Sequence, residues 1–368
     1  NNIIRKNDDE FTKFYQIYEK PNFPGTIRHA FFHKTLGGKL KTARKDEDFS
    51  INVVLVNTIS PYYLVRHQAP LAINILAKHL ERKVPGARVY RIDMQAEFDI
   101  TSSRPQASLD DCFNETIRNV ADKVRDISQT GTEQTVLGLS LKWAAVDVAK
   151  KILGLLQREL QGGKVLCVLG NIGSTFGYRD LLKVDPFKRV LAVVGEGEDA
   201  LTAIVNAAIK GGDDVADLTH YGNIHNVAIN VDGEPLVSST ARVDLASYPN
   251  GLITDALDIY DEERRVYALE TSRGCPWGRC TFCSVGKQFE ESNGAVKNNG
   301  GWRSFPVDMV LKNMQTLVDQ GVRHFDFKDS EFFGPIKPAN GYDPFYHTMS
   351  RAKAIINGIQ KINEKLEL

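Results

Sequence analysis

The chain has no surplus of charge. Its 368 residues carry 46 Lys and Arg against 46 Asp and Glu, so no net field draws it to nucleic acid or to an anionic membrane. No apolar run approaches the roughly 18 residues of a membrane span, and the opening residues lack the charged, apolar and small-residue regions of a secretory signal. Cysteine is scarce and odd in number, with five residues, which argues against a disulfide framework. With 42% hydrophobic residues the composition predicts a globular, cytoplasmic protein, and the length predicts two domains.

What is present from residue 51 onward is an alternation of strand-like and helix-like segments. Five apolar runs, at 51–56, 88–92, 135–140, 164–169 and 190–194, are interleaved with helical periodicities at 69–82, 109–127 and 145–160. The last run leads into Gly195-Glu196-Gly197-Glu198 and a final helix. Apolar strands joined by helices predict an α/β fold with a doubly wound parallel sheet covered on both faces. Ligands of such sheets lie outside the carboxyl ends of the strands, where strand order reverses.

Those strand ends are rich in small and flexible residues here. Ser140-Leu141 closes the third strand, Gly170-Asn171-Ile172-Gly173-Ser174-Thr175 follows the fourth, and Gly195-Glu196-Gly197 follows the fifth. Such glycines permit positive φ or the close approach of a ligand, although turn geometry alone also selects them. The Gly-x-Gly-x-x-Gly fingerprint of a dinucleotide site is missing. After the first strand the sequence runs Asn57-Thr58-Ile59-Ser60-Pro61-Tyr62-Tyr63, which argues against pyrophosphate binding there.

A linker follows, with a hairpin at 227–237 that turns at Asp232-Gly233. A strand at 266–270 then feeds Cys275-Pro276-Trp277-Gly278-Arg279-Cys280-Thr281-Phe282-Cys283. This density of thiols points to a metal centre. A [4Fe-4S] cluster usually takes four thiolates, so a group of three leaves one iron open to a small molecule. Tetrahedral zinc, in a structural binding module, is the other reading of such spacing. It needs a fourth ligand, and the nearest histidines, His225 and His324, are more than forty residues away. Cys112 and Cys167, in a helical pattern and a core strand, read as small apolar fillers. Beyond the cysteines come a polar, Gly-rich loop at 290–301 and a helix opened by Pro306 and closed by Gly321. A strand at 322–327, ending at Asp329-Ser330-Glu331, and a helix at 348–366 complete the pattern. Strand, helix and strand in this order predict the start of a βα barrel, whose site lies at the strand carboxyl ends.

The cysteine segment, with the strand before it and Phe282 directly before the last cysteine, resembles the radical S-adenosylmethionine (SAM) enzymes. Four residues separate Cys275 from Cys280, one more than in that family's Cys-x-x-x-Cys-x-x-Cys, a departure that bears on loop conformation more than on ligation. With the Gly-rich turn after the fourth strand and Gly195-Glu196-Gly197-Glu198 after the fifth, residues 50 to 330 resemble the cobalamin-dependent branch of these enzymes. The resemblance implies an N-terminal extension at 1–45, a Rossmann-like cobalamin-binding domain at 46–212 and a linker at 213–262. The first part of a radical SAM barrel would occupy 263–368, with the remainder beyond the chain.

By the same resemblance Cys275, Cys280 and Cys283 would hold a [4Fe-4S] cluster whose open iron binds SAM. Gly170, Asn171, Gly173, Ser174 and Thr175 would line the nucleotide tail and corrin edge of cobalamin, with Ser140 and Leu141 beside its base and Gly195, Glu196 and Gly197 at the same ligand. The Asp-x-His-x-x-Gly motif is absent, so cobalamin is expected base-off and without a histidine ligand. Arg66 would keep a strong donor from cobalt; His67 is the alternative cobalt ligand. Asp329 and Glu331 would hold the methionyl end of SAM, and Phe282 would lie near its adenine. The implied activity is methylation of an unactivated carbon through a 5′-deoxyadenosyl radical and methylcobalamin. The alternative within the family is cyclisation, rearrangement or oxidation without methyl transfer. A small-molecule or peptide substrate and an electron donor such as flavodoxin or ferredoxin would be the partners.

Overall fold

The computed structural model describes residues 49–59, 70–101, 108–129, 134–184, 190–211, 215, 217–247, 266–277, 280–288, 301–334 and 344–366. The five expected strands form where the apolar runs lie: β1 (Ile51–Asn57), β2 (Ala87–Asp93), β3 (Thr135–Ser140), β4 (Val165–Gly170) and β5 (Val190–Val193). They pair in parallel in the order β2-β1-β3-β4-β5. Strand β1 shows why a continuous apolar run is needed. Val54 and Val56 face one core, with Val120 and Val124 of α3 (Leu109–Ser128) and Ile152 of α4 (Val146–Leu155). Val53 and Leu55 face the other, with Ala77 and Leu80 of α1 (Leu71–Lys83) and Ile204 of α7 (Glu198–Lys210). A strand buried on both faces cannot alternate with polar residues.

The remaining helices of this region are α2 (Met94–Thr101), α5 (Gln157–Gln161) and α6 (Asn171–Leu181). Helix α2 follows β2 with no intervening turn residue, so the sequence carried no sign of it. The helix expected at 145–160 is broken into α4 and α5 at Leu156, whose φ of −100° and ψ of 15° leave the helical region. Ser108 caps α3 by accepting from the Asp111 amide at 3.2 Å.

The hairpin forms as expected, from β6 (Val227–Val231) and β7 (Glu234–Val237), with Asp232 and Gly233 at φ of 52° and 91°. Its place differs from the expectation of a linker. Strand β6 pairs antiparallel with β5 and makes the sheet seven-stranded. Val227 and Ala228 are fully buried, which requires a partner surface that an isolated hairpin lacks.

Beyond the hairpin, β8 (Val266–Leu269) and β11 (His324–Phe327) pair in parallel, joined by the crossover helix α9 (Val307–Asp319). A short antiparallel pair, β9 (Ser272–Arg273) and β10 (Arg303–Ser304), lies between them in sequence, as does the single-turn helix α8 (Val285–Gln288). Helix α10 (Pro344–Glu364) packs on α9. Tyr267, Leu269, Phe305, Met314, Leu317 and Ile362 are among the residues of their common core. Parallel strands with a helical crossover are the expected opening of a βα barrel. The N-terminal extension at 1–45, Arg66, His67 and most of the loop at 290–301 lie outside the described residues.

Candidate functional site

Strand order reverses between β1 and β3, because β2 lies on one side of β1 and β3 to β5 on the other. At this point Thr58 donates to the Ser140 carbonyl at 2.5 Å, and the Asn57 amide group donates to Asp93 at 2.8 Å. The residues expected there are brought together by hydrogen bonds across the strand ends. Asn171, in the left-handed region at φ 72°, donates to Ser140 Oγ at 2.9 Å. Thr175 Oγ1 accepts from the Gly195 amide and donates to the Asn171 carbonyl, both at 3.1 Å.

Other expected residues serve the framework. Ser174 Oγ lies 3.0 Å from the Leu169 carbonyl and 2.9 Å from that of Val193, so this buried hydroxyl ties β4 to β5. The side chain of Leu141 is wholly buried, and the Gly173 amide donates to its carbonyl at 3.0 Å. A Cβ at Gly173 would stand 3.0 Å from that carbonyl oxygen, so close packing selects glycine there. Gly170 is different: a Cβ there would meet nothing within 4 Å. The backbone at the end of β4 faces open space. Gly197 precedes α7 and accepts from the Leu201 amide at 2.8 Å. Lys142, just past β3, is partly buried, and burial pulls its ammonium below the ordinary lysine range, against Asp93 and with Lys328.

The cysteine loop begins as a rigid stem. Thr271, Ser272 and Arg273 are buried, and side chains distant in sequence hold all three. Asp329, past the end of β11, accepts from the Thr271 amide at 3.1 Å, from Thr271 Oγ1 at 2.8 Å and from Ser272 Oγ at 2.5 Å. Arg351 of α10 donates to the carbonyls of Thr271 and Phe332 while lying over the Trp302 and Phe332 rings at 5.8 and 5.5 Å. Trp302 Nε1 donates to the Glu331 carbonyl at 2.8 Å, and a Glu331 carboxylate oxygen accepts from the Phe333 amide at 2.9 Å. Gly274 has φ of 84°, and a Cβ there would stand 2.4 Å from the Gly301 carbonyl oxygen. Only glycine enters the loop by this path.

Past the stem the chain opens outward. Trp277 is 55% exposed and Phe282 is 90% exposed. Cys280 and Cys283 are exposed and Cys275 half-buried, all three as free thiols. Cys112 and Cys167 are buried in the first core, as expected of fillers, and burial pushes the Cys167 thiol far up. Among the described residues no group of three or more His, Cys, Asp or Glu side chains stands close enough to hold a metal ion. The three sulfurs share one loop without converging. That loop returns to the sheet end through α8, where the Gln288 carbonyl would lie 3.3 Å from a Cβ at Gly195.

Glu196, expected beside a ligand, is buried with both carboxylate oxygens engaged by Arg273, Arg303 and the Val243 amide. Arg273, Arg303 and Arg351 were not singled out in the sequence, because the partners of a lone arginine are set only by the tertiary fold. Burial pushes the Glu270 carboxyl above its ordinary value of 4.5, and Arg273 opposes the shift. The folded chain thus holds this proton more tightly than the unfolded chain. The stability linked to it is complete below the ordinary carboxylate range and is lost as pH rises through the raised value. Glu270→Gln is expected to escape that loss, so its urea midpoint relative to the wild type should climb as pH rises above 4.5. A midpoint difference independent of pH would contradict the shift.

No family model matches the chain. The curated 4'-phospho-dehydrooxetanocin synthase of Priestia megaterium is 26% identical over 310 residues, covering 81% of this chain and 34% of that protein. A solved structure of the cobalamin-dependent S-adenosylmethionine radical enzyme OxsB, with aqua-cobalamin and S-adenosylmethionine bound, aligns with a TM-score of 0.60 and 22% identity, over 86% of this chain and 37% of that one. The chain has the fold of a cobalamin-dependent radical SAM enzyme. The radical SAM methyltransferase TsrM from Kitasatospora setae, with cobalamin and a [4Fe-4S] cluster bound, aligns with a TM-score of 0.53 and 17% identity, over 86% of this chain and 52% of that one. The chain spans about a third of the length of the curated relative and about half or less of these structural neighbours. Among the described residues no helix is long and apolar enough to cross a membrane.

Proposed function

We propose that the chain is the cobalamin-binding and cluster-binding part of a radical SAM enzyme. The observation that carries this reading is the joint placement of a three-thiol loop at the end of β8 and an open sheet end at the switch point, joined through one buried stem. The donor set suits a cluster with one open iron. Three free thiols share the loop, and the remaining two cysteines are buried in a separate core. The open backbone at Gly170 and the polar ends of β3 and β4 suit a broad ligand lying on the sheet edge.

The chemistry such cofactors supply when bound is reductive cleavage of SAM to a 5′-deoxyadenosyl radical, with cobalamin as methyl carrier or electron relay. The chain's own part is positional. Cys275, Cys280 and Cys283 would donate thiolates to the cluster, and Asp329 sets where their loop starts. Glu331 lies beside that start, where its carboxylate would receive the SAM ammonium. Ser140, Asn171, Thr175 and Gly195 would line the cobalamin, base-off in keeping with the missing histidine motif. A small-molecule or peptide substrate and an external electron donor complete the reading.

Two reactions on the substrate fit. Methyl transfer to an unactivated carbon is the first, and TsrM is named a methyltransferase. The second is a rearrangement or oxidation without methyl transfer, favoured by likeness to a protein named a synthase. The test is to supply the reconstituted native-length protein with SAM, reductant and candidate substrates, and to read 5′-deoxyadenosine and product mass. Release of 5′-deoxyadenosine is expected; a gain of about 14 Da marks methylation and its absence marks the second reaction. SAM left uncleaved by a protein loaded with both cofactors would overturn the reading.

A further inference from the structure

Five charged side chains meet where the end of β5 touches the cysteine stem. Glu196 Oε1 accepts from Arg273 at 2.9 Å and from Arg303 at 2.8 Å, while Oε2 accepts from Arg303 at 3.1 Å and from the Val243 amide at 2.7 Å. The other guanidinium nitrogens of Arg273 reach Glu198 at 2.8 Å and Glu270 at 2.9 Å. The side chains of Glu196, Glu198 and Arg273 are 3%, 6% and 8% exposed, so solvent does little to screen these pairs. Arg273 and Arg303 are also direct cross-strand partners in the β9–β10 ladder. Like charges placed so repel each other, and Glu196 lies between them as their shared counter-ion. Without it the short ladder that shapes the stem would carry two facing cations.

The connection runs from one half of the site to the other. Thr175 holds the Gly195 amide, Gly195 precedes Glu196, Glu196 holds Arg273, and Arg273 leads through the constrained Gly274 into Cys275. We propose that Arg273 is a positioning residue, which with Glu196 ties occupancy of the sheet end to the shape of the cysteine loop. On the cofactor reading above, on which this rests, cobalamin and cluster then bind cooperatively. Coupling of this kind is reciprocal and commonly spans roughly 5- to 150-fold in affinity.

The test is an absorbance titration of the chain with hydroxocobalamin, before and after anaerobic loading with ferrous iron and sulfide. In the wild type, loading is expected to tighten cobalamin binding by about five-fold or more. In Glu196→Gln, which keeps the shape and removes the charge, both ligands should still bind and that ratio should fall towards one. Arg273→Lys, which keeps the charge and loses the fork, should retain more of the ratio than Arg273→Met. A ratio unchanged in Glu196→Gln and Arg273→Met, or already near one in the wild type, would overturn the proposal. Hydrogen exchange of the ligand-free chain separates this result from failure of the cofactor reading. Glu196→Gln should speed exchange of the amides at 272–277 about ten-fold while those of β1 stay unchanged. If cobalamin does not bind the wild type, the cofactor reading falls and this exchange decides the positioning role; unchanged exchange at 272–277 would overturn it. Should Glu196→Gln fail to fold, Arg273→Lys is measured in its place, with faster exchange expected at 195–201.

Discussion

Replacing Cys275, Cys280 and Cys283 together with Ala is expected to leave a folded chain that binds no iron. Cys280 and Cys283 are exposed and Cys275 is half-buried beyond the stem, so none fills a core. Exposed positions of this kind change stability little when replaced. Iron, by contrast, has no other thiol to go to, because Cys112 and Cys167 are closed inside the first core at 2% and 0% exposure. Cys112→Ala and Cys167→Ala should show the opposite pattern. Each removes a buried group and lowers the melting temperature, while iron content stays at the wild-type level. Iron retained by the triple variant and lost from either buried variant would show that the loop is not the metal site.

Asp329→Ala is expected to have the largest effect on the stem. Its carboxylate accepts from three donors of Thr271 and Ser272, and both residues are almost wholly buried. Hydrogen bonds to a charged group contribute about 1.5–3 kcal/mol each, and donors left unpaired in the interior add their own desolvation cost. The bonds share one acceptor and do not add, so the expected loss is about 3–5 kcal/mol, read as a lower urea midpoint. Asp329→Asn keeps one acceptor oxygen and should lose less. The pair of variants also separates the clamp from the role first expected for Asp329, which was to hold the SAM ammonium. A clamp predicts that SAM affinity follows stability in both variants. An Asp329→Asn protein of near wild-type stability that no longer binds SAM would assign the carboxylate to SAM instead.

The sheet was legible because its chemistry is repetitive. Each run such as Val53-Val54-Leu55-Val56 must be apolar on both faces to lie between two helical layers, and the periodicity of residues between the runs announced the layers. The turn at Asp232-Gly233 was legible because its positive φ values suit these residue types. That its hairpin would join the sheet was not, since pairing onto β5 depends on an edge that exists only after folding. The cysteine loop was legible from spacing. Its stem was not: Arg273 and Arg303 lie 77 and 107 positions from Glu196, and nothing local marks three such residues as partners. The same blindness placed Ser174 among ligand contacts, whereas its hydroxyl is taken by two strand carbonyls. Polar side chains at strand ends divide between ligand and framework only once their neighbours are in place.

The most direct measurement is iron, cobalt and zinc per chain in native-length protein purified anaerobically from cells supplied with cobalamin. About four irons and one cobalt are expected, with the iron lost from the triple cysteine variant. Zinc in place of iron, with no cobalt, would contradict the cofactor reading and leave a zinc-stabilised binding module.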